Sequence, residues 1–170
     1  YAYFLTVIDP YSRHTWVFFP MFLKSEVQSL IFSFFSFVRT QFGTTIKVLH
    51  TDNDKEFTLP VFYNSHGTIH QTTCVQTSQQ NGLVERKHQH ILAVTPALLL
   101  QAHLPPNFWH FAVIHAIHLI NRLPTPLVAN QTSFELLHHS SPCYDQLIVF
   151  GSLCYMSTLP HGRSKLLPRA

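Results

Sequence analysis

Eight carboxylates are spread over the 170 residues: Asp9, Glu26, Asp52, Asp54, Glu56, Glu85, Glu135 and Asp145. Two of them sit where acid chemistry is usually placed. Asp52 follows the apolar run Ile46-Lys47-Val48-Leu49-His50, just past the end of a buried-looking strand. Open α/β sheets hold their ligands at such strand ends. Glu85 stands one turn into a helical pattern, after the polar Gln-Thr-Ser-Gln-Gln-Asn-Gly of residues 76–82, with Arg86, Lys87, His88 and His90 around it. A carboxylate at a strand end and another on a facing helix offer hard oxygen ligands to a divalent cation, whose shell water and phosphate complete. Two such ions about 4 Å apart activate a nucleophile and stabilise the leaving oxygen in phosphoryl transfer. The neighbouring cations would then contact phosphate, which positions nucleic acid without reading its sequence. A plainer reading has Asp52 capping a turn and Glu85 pairing with a lysine on a solvated helix face. Spacing alone leaves both readings open.

The elements that must position these residues can be read from patterning. Tyr3 to Ile8 is an apolar, β-rich run closed by Asp9-Pro10, and Thr15 to Phe19 is a second run ended by Pro20. Together they predict a hairpin, with Asp9 forming its turn. Val27, Leu30, Ile31, Phe34, Phe35 and Val38 recur at helical spacing. They predict an amphipathic helix, capped by Ser25, running to about Thr40 and stopped near Gly43. A third strand covers Ile46–His50, a short helix Leu59–Ser65, and a fourth strand Thr68–Thr72. A helix from Leu83 to about Leu100 is interrupted by Pro96, at a cost of roughly 3 kcal/mol if that proline is interior. Another helix fills Asn107–Arg122. Beyond Pro124 and Pro126 the segments shorten, with a strand-like run from Leu147 to Phe150. Alternating strands and helices make the class α/β.

Composition sets outer bounds. Apolar residues make up 46% and charged residues 11%, the latter well below the ~25% usual for soluble domains, so an ordered core is expected rather than disorder. A net charge of +3 fits a polyanionic partner without demanding one. Three cysteines with no close pair argue against a secreted disulfide framework. No apolar stretch reaches the ~18 residues of a membrane span. The opening run has neither the basic start nor the small-residue cleavage site of a signal peptide. It starts inside a strand-like run without Met, as a fragment would.

Several strings in order carry a resemblance. Val48-Leu49-His50-Thr51-Asp52-Asn53 with Glu56-Phe57 resembles the second-aspartate motif of retroviral and retrotransposon integrases. Gln79-Gln80-Asn81-Gly82-Leu83-Val84-Glu85-Arg86-Lys87 is similar to the copia form of their glutamate motif. His66-Gly67-Thr68-Ile69-His70-Gln71, Phe108-Trp109, Ile120-Asn121-Arg122-Leu123-Pro124-Thr125 and Val149-Phe150-Gly151 continue in family order. Phe4 to Asp9 and Ser12 to Trp16 resemble the family's second and third strands. The resemblance implies a ribonuclease-H-like mixed sheet flanked by helices, here with its first, central strand missing. Residues 1–125 would be the partial catalytic core and 126–170 an extension after it.

The same resemblance implies metal-dependent DNA strand transfer with two Mg2+ or Mn2+ ions. Asp52 and Glu85 would be two of the three metal-binding carboxylates. Arg86, Lys87 and His90 would contact phosphate, while Asn53 and Gln80 orient the site. The partners implied are the element's DNA ends and target DNA, the assembly a homo-oligomer and the compartment the nucleus. The family's first catalytic Asp would precede residue 1, so Asp9 is not that residue and the chain is expected to be inactive or nearly so. The alternative is a non-catalytic remnant that binds nucleic acid weakly.

Some positions depart from the family pattern. Asp54 replaces a Gly, which would be costly if the backbone there needs φ > 0, and it adds a charge near Asp52. Ser78 replaces a Pro, and the segment between Glu56 and His66 is a few residues short. Other features invite stronger readings than they support. The 13 His include only the close pairs His115/His118 and His138-His139, without a cysteine pair for zinc. Cys74, the Phe32/Phe34/Phe35/Phe37 stripe, Trp16 and Trp109 read as core, and Arg163, Lys165 and Arg169 as a solvated tail.

Overall fold

The structure is a computed structural model that describes residues 3–73 and 82–155. Strands β1 (Tyr3–Ile8) and β2 (Thr15–Met21) form the expected antiparallel hairpin. The turn is built by Asp9, whose Oδ2 accepts from the Ser12 N–H (2.8 Å) and hydroxyl (2.6 Å). That Asx arrangement holds Arg13 at φ 61. Register is regular from Leu5↔Phe18 to Ile8↔Thr15, then slips before Tyr3↔Met21. Pro20, which has no N–H for the ladder, falls in that bulge. Strands β3 (Val48–Thr51) and β4 (Ile69–Thr72) pair in parallel as a second two-stranded sheet.

Helices lie on both sides. Helix α1 (Val27–Phe42) buries Val27, Ile31, Phe34, Phe35 and Val38 and ends on Gly43 at φ 61. The expected cap at Ser25 is not used. A 3-10 turn, Lys24–Glu26, precedes α1, and Glu26 Oε1 accepts from the N–H groups of Phe22 and Leu23 instead. Helix α2 (Pro60–Ser65) turns the chain into β4 through Gly67 at φ 65. Helix α3 (Gly82–Gln101) is continuous through Pro96, contrary to the expected interruption. The proline is exposed and α3 packs closely along α4 (Trp109–Arg122). Burial of Ile91, Thr95 and Leu98 on the opposite face therefore outweighs the lost hydrogen bond. Helix α5 (Ser133–His138) opens on a capping box in which Thr132 and Glu135 each accept the other's N–H.

Leu147–Phe150 is not a strand. Two turns, Leu147 N–H to Tyr144 O and Ser152 N–H to Val149 O, fold the segment, and Phe150 packs on the α3–α4 cluster instead. Strand residues alternate between two cores. Leu5 and Leu49 pack on the cluster of Met21, Val27, Ile31, Phe35 and Tyr63. Phe4 and Val17 pack on Ile91, Val113, Ile117 and Ile120. This alternation places the β1–β2 hairpin between an α1–α2 layer and an α3–α4 layer. Phe34 and Phe35 are buried as expected, whereas Phe32, against Phe62, and Phe37, against Phe34 and Phe42, stay about 40% exposed.

Asn121 joins the second layer to the sheet. Its Oδ1 accepts from Thr15 N–H (3.0 Å) and its Nδ2 donates to Thr15 O (2.8 Å). Because Asp9 N–H bonds to His14 O, the Thr15 main-chain groups face away from β1. The amide thus fills one rung of an otherwise open edge.

Candidate functional site

Asp52 lies immediately past the C-terminal end of β3, and its side chain is exposed. The loop that carries it is tied at several points. Thr51 Oγ1 donates to Asp52 O (2.8 Å) and meets His70 Nε2 on β4 at 2.9 Å. Asn53 Nδ2 donates to Thr73 O (2.6 Å), fastening the loop to the end of β4. Asp52 Oδ1 accepts a 3.3 Å bond from Asp54 N–H. Burial lowers the His70 imidazole below its ordinary range.

Asp54 does not strain the loop. Its φ is −64 and its ψ 135, an extended conformation open to any residue, so the substitution of a glycine here costs no backbone strain. Its charge is met by Lys24 Nζ at 3.2 Å, from the β2–α1 junction. The Lys24 ammonium is shifted upward by that hydrogen bond and the Asp54 charge. Sequence reasoning missed Lys24 because the contact spans 30 residues.

Glu85 is exposed in the first turn of α3, where the positive end of the helix favours a carboxylate. Arg86 folds back so that its guanidinium covers Gly82, where a Cβ would stand 3.1 Å from it. His90 is exposed, while Lys87 is half-buried. Burial first, and Arg13 second, push the Lys87 ammonium below its ordinary range. His88 serves packing: it stacks on Phe4 at 4.8 Å with the rings 8° from parallel, fixing α3 to β1. Gln80, like Cys74, lies outside the described residues, as do Arg163, Lys165 and Arg169.

The structure therefore assembles an Asp52–Asn53–Asp54–Lys24 group at one strand end and a Glu85–Arg86–Lys87–His90 group at the start of α3. No hydrogen bond or ion pair joins Asp52 to Glu85, and no cluster of three or more His, Cys, Asp or Glu suits a metal, among the described residues. An open groove of about 490 Å3, lined by Phe32, Leu59, Pro60, Val61 and Phe62, contains no titratable side chain and offers no such chemistry. No helix among the described residues is long and apolar enough to cross a membrane.

Comparison with known proteins places this geometry. No protein-family model matches the chain. It is 38% identical over 167 residues to the retrovirus-related Pol polyprotein from transposon RE1 of Arabidopsis thaliana, and 40% identical over 167 residues to that from transposon RE2. It is 34% identical over 167 residues to the Pol polyprotein from transposon TNT 1-94 of Nicotiana tabacum. These matches cover 96–98% of the chain but only 11–12% of each polyprotein. Among solved structures, a chain of a simian T-cell lymphotropic virus intasome in complex with the PP2A regulatory subunit B56 gamma superposes with a TM-score of 0.62 at 20% identity. That match covers 92% of this chain and 53% of the other. The catalytic core domain of BIV integrase superposes with a TM-score of 0.58 at 18% identity, covering 80% and 85%. The chain is thus homologous to one segment of copia-type retrotransposon Pol polyproteins and has the ribonuclease-H-like α/β fold of retroviral integrase catalytic cores.

Proposed function

We propose that this segment is the DNA-joining core of a retrotransposon integrase, with Asp52 and Glu85 as two of its metal-binding carboxylates. The observation that carries the reading is their placement. Asp52 sits at the end of a parallel strand in a loop pinned by Asn53 and Thr51, and Glu85 in the first turn of the helix packed on the hairpin. Both carboxylates are exposed, and neither is used in an ion pair among the described residues. Two hard oxygen donors fit Mg2+ or Mn2+. Bound there, such ions would activate the attacking oxygen and stabilise the leaving one.

The chain's own residues supply binding and orientation. Asn53 holds the Asp52 loop against β4. Arg86, Lys87 and His90 form a cationic start to α3 suited to phosphodiester oxygens, with Gln80 assigned to the loop before it. In this reading the intact enzyme acts as a multimer on element ends and target DNA in the nucleus. Residues 1–125 form the core, and 126–170 extend it.

The edges of the two sheets support a third contribution. Pairing of β1 with β2 leaves the main-chain groups of Thr6 and Ile8 pointing outward, and pairing of β3 with β4 leaves those of Val48 and His50 outward. Leu5 and Leu49 pack on the same core cluster. One further strand between these edges would join the half-sheets, and the family resemblance assigns the remaining carboxylate to it. Residues 1–170 alone are accordingly expected to join DNA poorly.

DNA binding measured with and without Mg2+ tests the reading. Metal should strengthen binding, and Asp52→Asn should abolish that gain. Binding that is indifferent to both would favour a non-catalytic remnant held to DNA by α3 cations alone. Efficient metal-dependent joining by residues 1–170 would overturn the expected inactivity.

A further inference from the structure

His14 follows the Asp9 turn, and its ring is buried at 8% exposure. The Thr15 main chain fixes the amide orientation of Asn121: Oδ1 must face the Thr15 N–H and Nδ2 the Thr15 carbonyl. The second Nδ2 hydrogen then faces His14 Nε2, 3.3 Å away. Nε2 can accept it only if it carries no proton, which puts the ring proton on Nδ1. That atom is buried, with no hydrogen-bond partner among the described residues. Protonating the ring would set an Nε2–H against the Asn121 NH2, donor against donor.

The charged and titratable neighbours reinforce this. From α5, His138 meets the His14 ring edge-on at 5.7 Å. From α4, the Arg122 guanidinium lies over Phe134 at 4.7 Å and bears on both histidines. From the turn, Asp9 offers the opposing charge, but its Oδ2 is occupied by Ser12.

We propose that His14 and Asn121 form a protonation-sensitive latch between the β1–β2 hairpin and α4, closed with His14 neutral and opened when it takes a proton. This device stands independently of the integrase reading, although α4 backs the helix that carries Glu85. Burial, with help from His138 and Arg122, holds His14 down to about 4, against 6.5 for a free imidazole. Folded His14 therefore refuses a proton that the unfolded chain accepts between those values. Folding stability is therefore undiminished by this ring above pH 6.5. It falls progressively as pH drops toward 4, where the folded ring itself takes the proton and the latch opens.

Imidazole 15N NMR of the labelled protein tests the tautomer directly. At pH 7, His14 should be the Nδ1–H form with Nε2 as acceptor, and its midpoint should lie near 4, well below that of an exposed histidine. An Nε2–H ring, or a midpoint near 6.5, would overturn the proposal. A second test compares urea unfolding at pH 7 and pH 5 for the wild type and His14→Gln, whose Oε1 can accept from Asn121 but cannot titrate. The wild type should lose roughly 20-fold more in its folding constant over that interval than the variant. Equal losses would refute the latch, and if the variant does not fold the NMR result decides alone.

Discussion

Replacing Asn121 by Ala should be among the more damaging single changes in the second core. The side chain is 4% exposed and makes both of its strong contacts to one residue, Thr15, which is 1% exposed. Ala removes the two partners and leaves a buried N–H and a buried C=O on the outer edge of β2. Each unsatisfied group costs about 1–3 kcal/mol, and the truncated volume adds a small cavity term. The expected loss is therefore about 3–5 kcal/mol, a large share of a domain's ~5–15 kcal/mol. At about 2–4 °C per kcal/mol for a chain of this size, the midpoint should fall by roughly 6–20 °C. Urea and thermal unfolding at pH 7 would measure it, with Asn64→Ala on the exposed face of α2 as a control expected within about 0.5 kcal/mol. A loss from Asn121→Ala no larger than the control's would show that water reaches the Thr15 edge, and would refute the role given to this amide.

Two other changes probe the packing. Pro96→Ala restores an N–H that can reach the Leu92 carbonyl inside a continuous helix, so stability should rise by about 2–3 kcal/mol in the same unfolding assay; a loss would mean that the ring is needed where it sits. Gly151 has φ +82, and a Cβ there would meet the Ala102 Cβ at 2.5 Å and its Cα at 3.3 Å. Gly151→Ala should therefore cost about 2–3 kcal/mol. Gly43→Ala, with the same backbone sign but open space, should cost only about 1 kcal/mol. Equal losses at the two glycines would refute the steric part of this argument.

Much of the frame was legible because its signals are local. The 3–4 residue spacing of Val27, Ile31, Phe35 and Val38, followed by Gly43, marks α1 almost to its ends. The Asp9 turn follows from an Asx hydrogen bond three residues long. Asp52 could be placed past a strand and Glu85 in a first helical turn for the same reason. Where sequence reasoning failed, distant contacts decided. Pro96 is tolerated because α3 is held against α4 by Ile91, Thr95 and Leu98 on the face away from the proline, which propensity does not register. Leu147–Phe150 has strand-forming residues, but two turns fold it and Phe150 packs on the α3–α4 cluster, which no local pattern announces. Lys24 reaches Asp54 across 30 residues and Asn121 reaches Thr15 across 106. Asn121 was visible as part of a motif, but its work was not.

The central claim is that Asp52 and Glu85 hold a divalent cation, and Mn2+ titration followed by paramagnetic broadening of backbone amide NMR signals addresses it most directly. Broadening should centre on residues 51–54 and the first turn of α3, and both Asp52→Asn and Glu85→Gln should remove it without disturbing the fold. Broadening centred elsewhere, or unchanged in both variants, would contradict the assignment of the site.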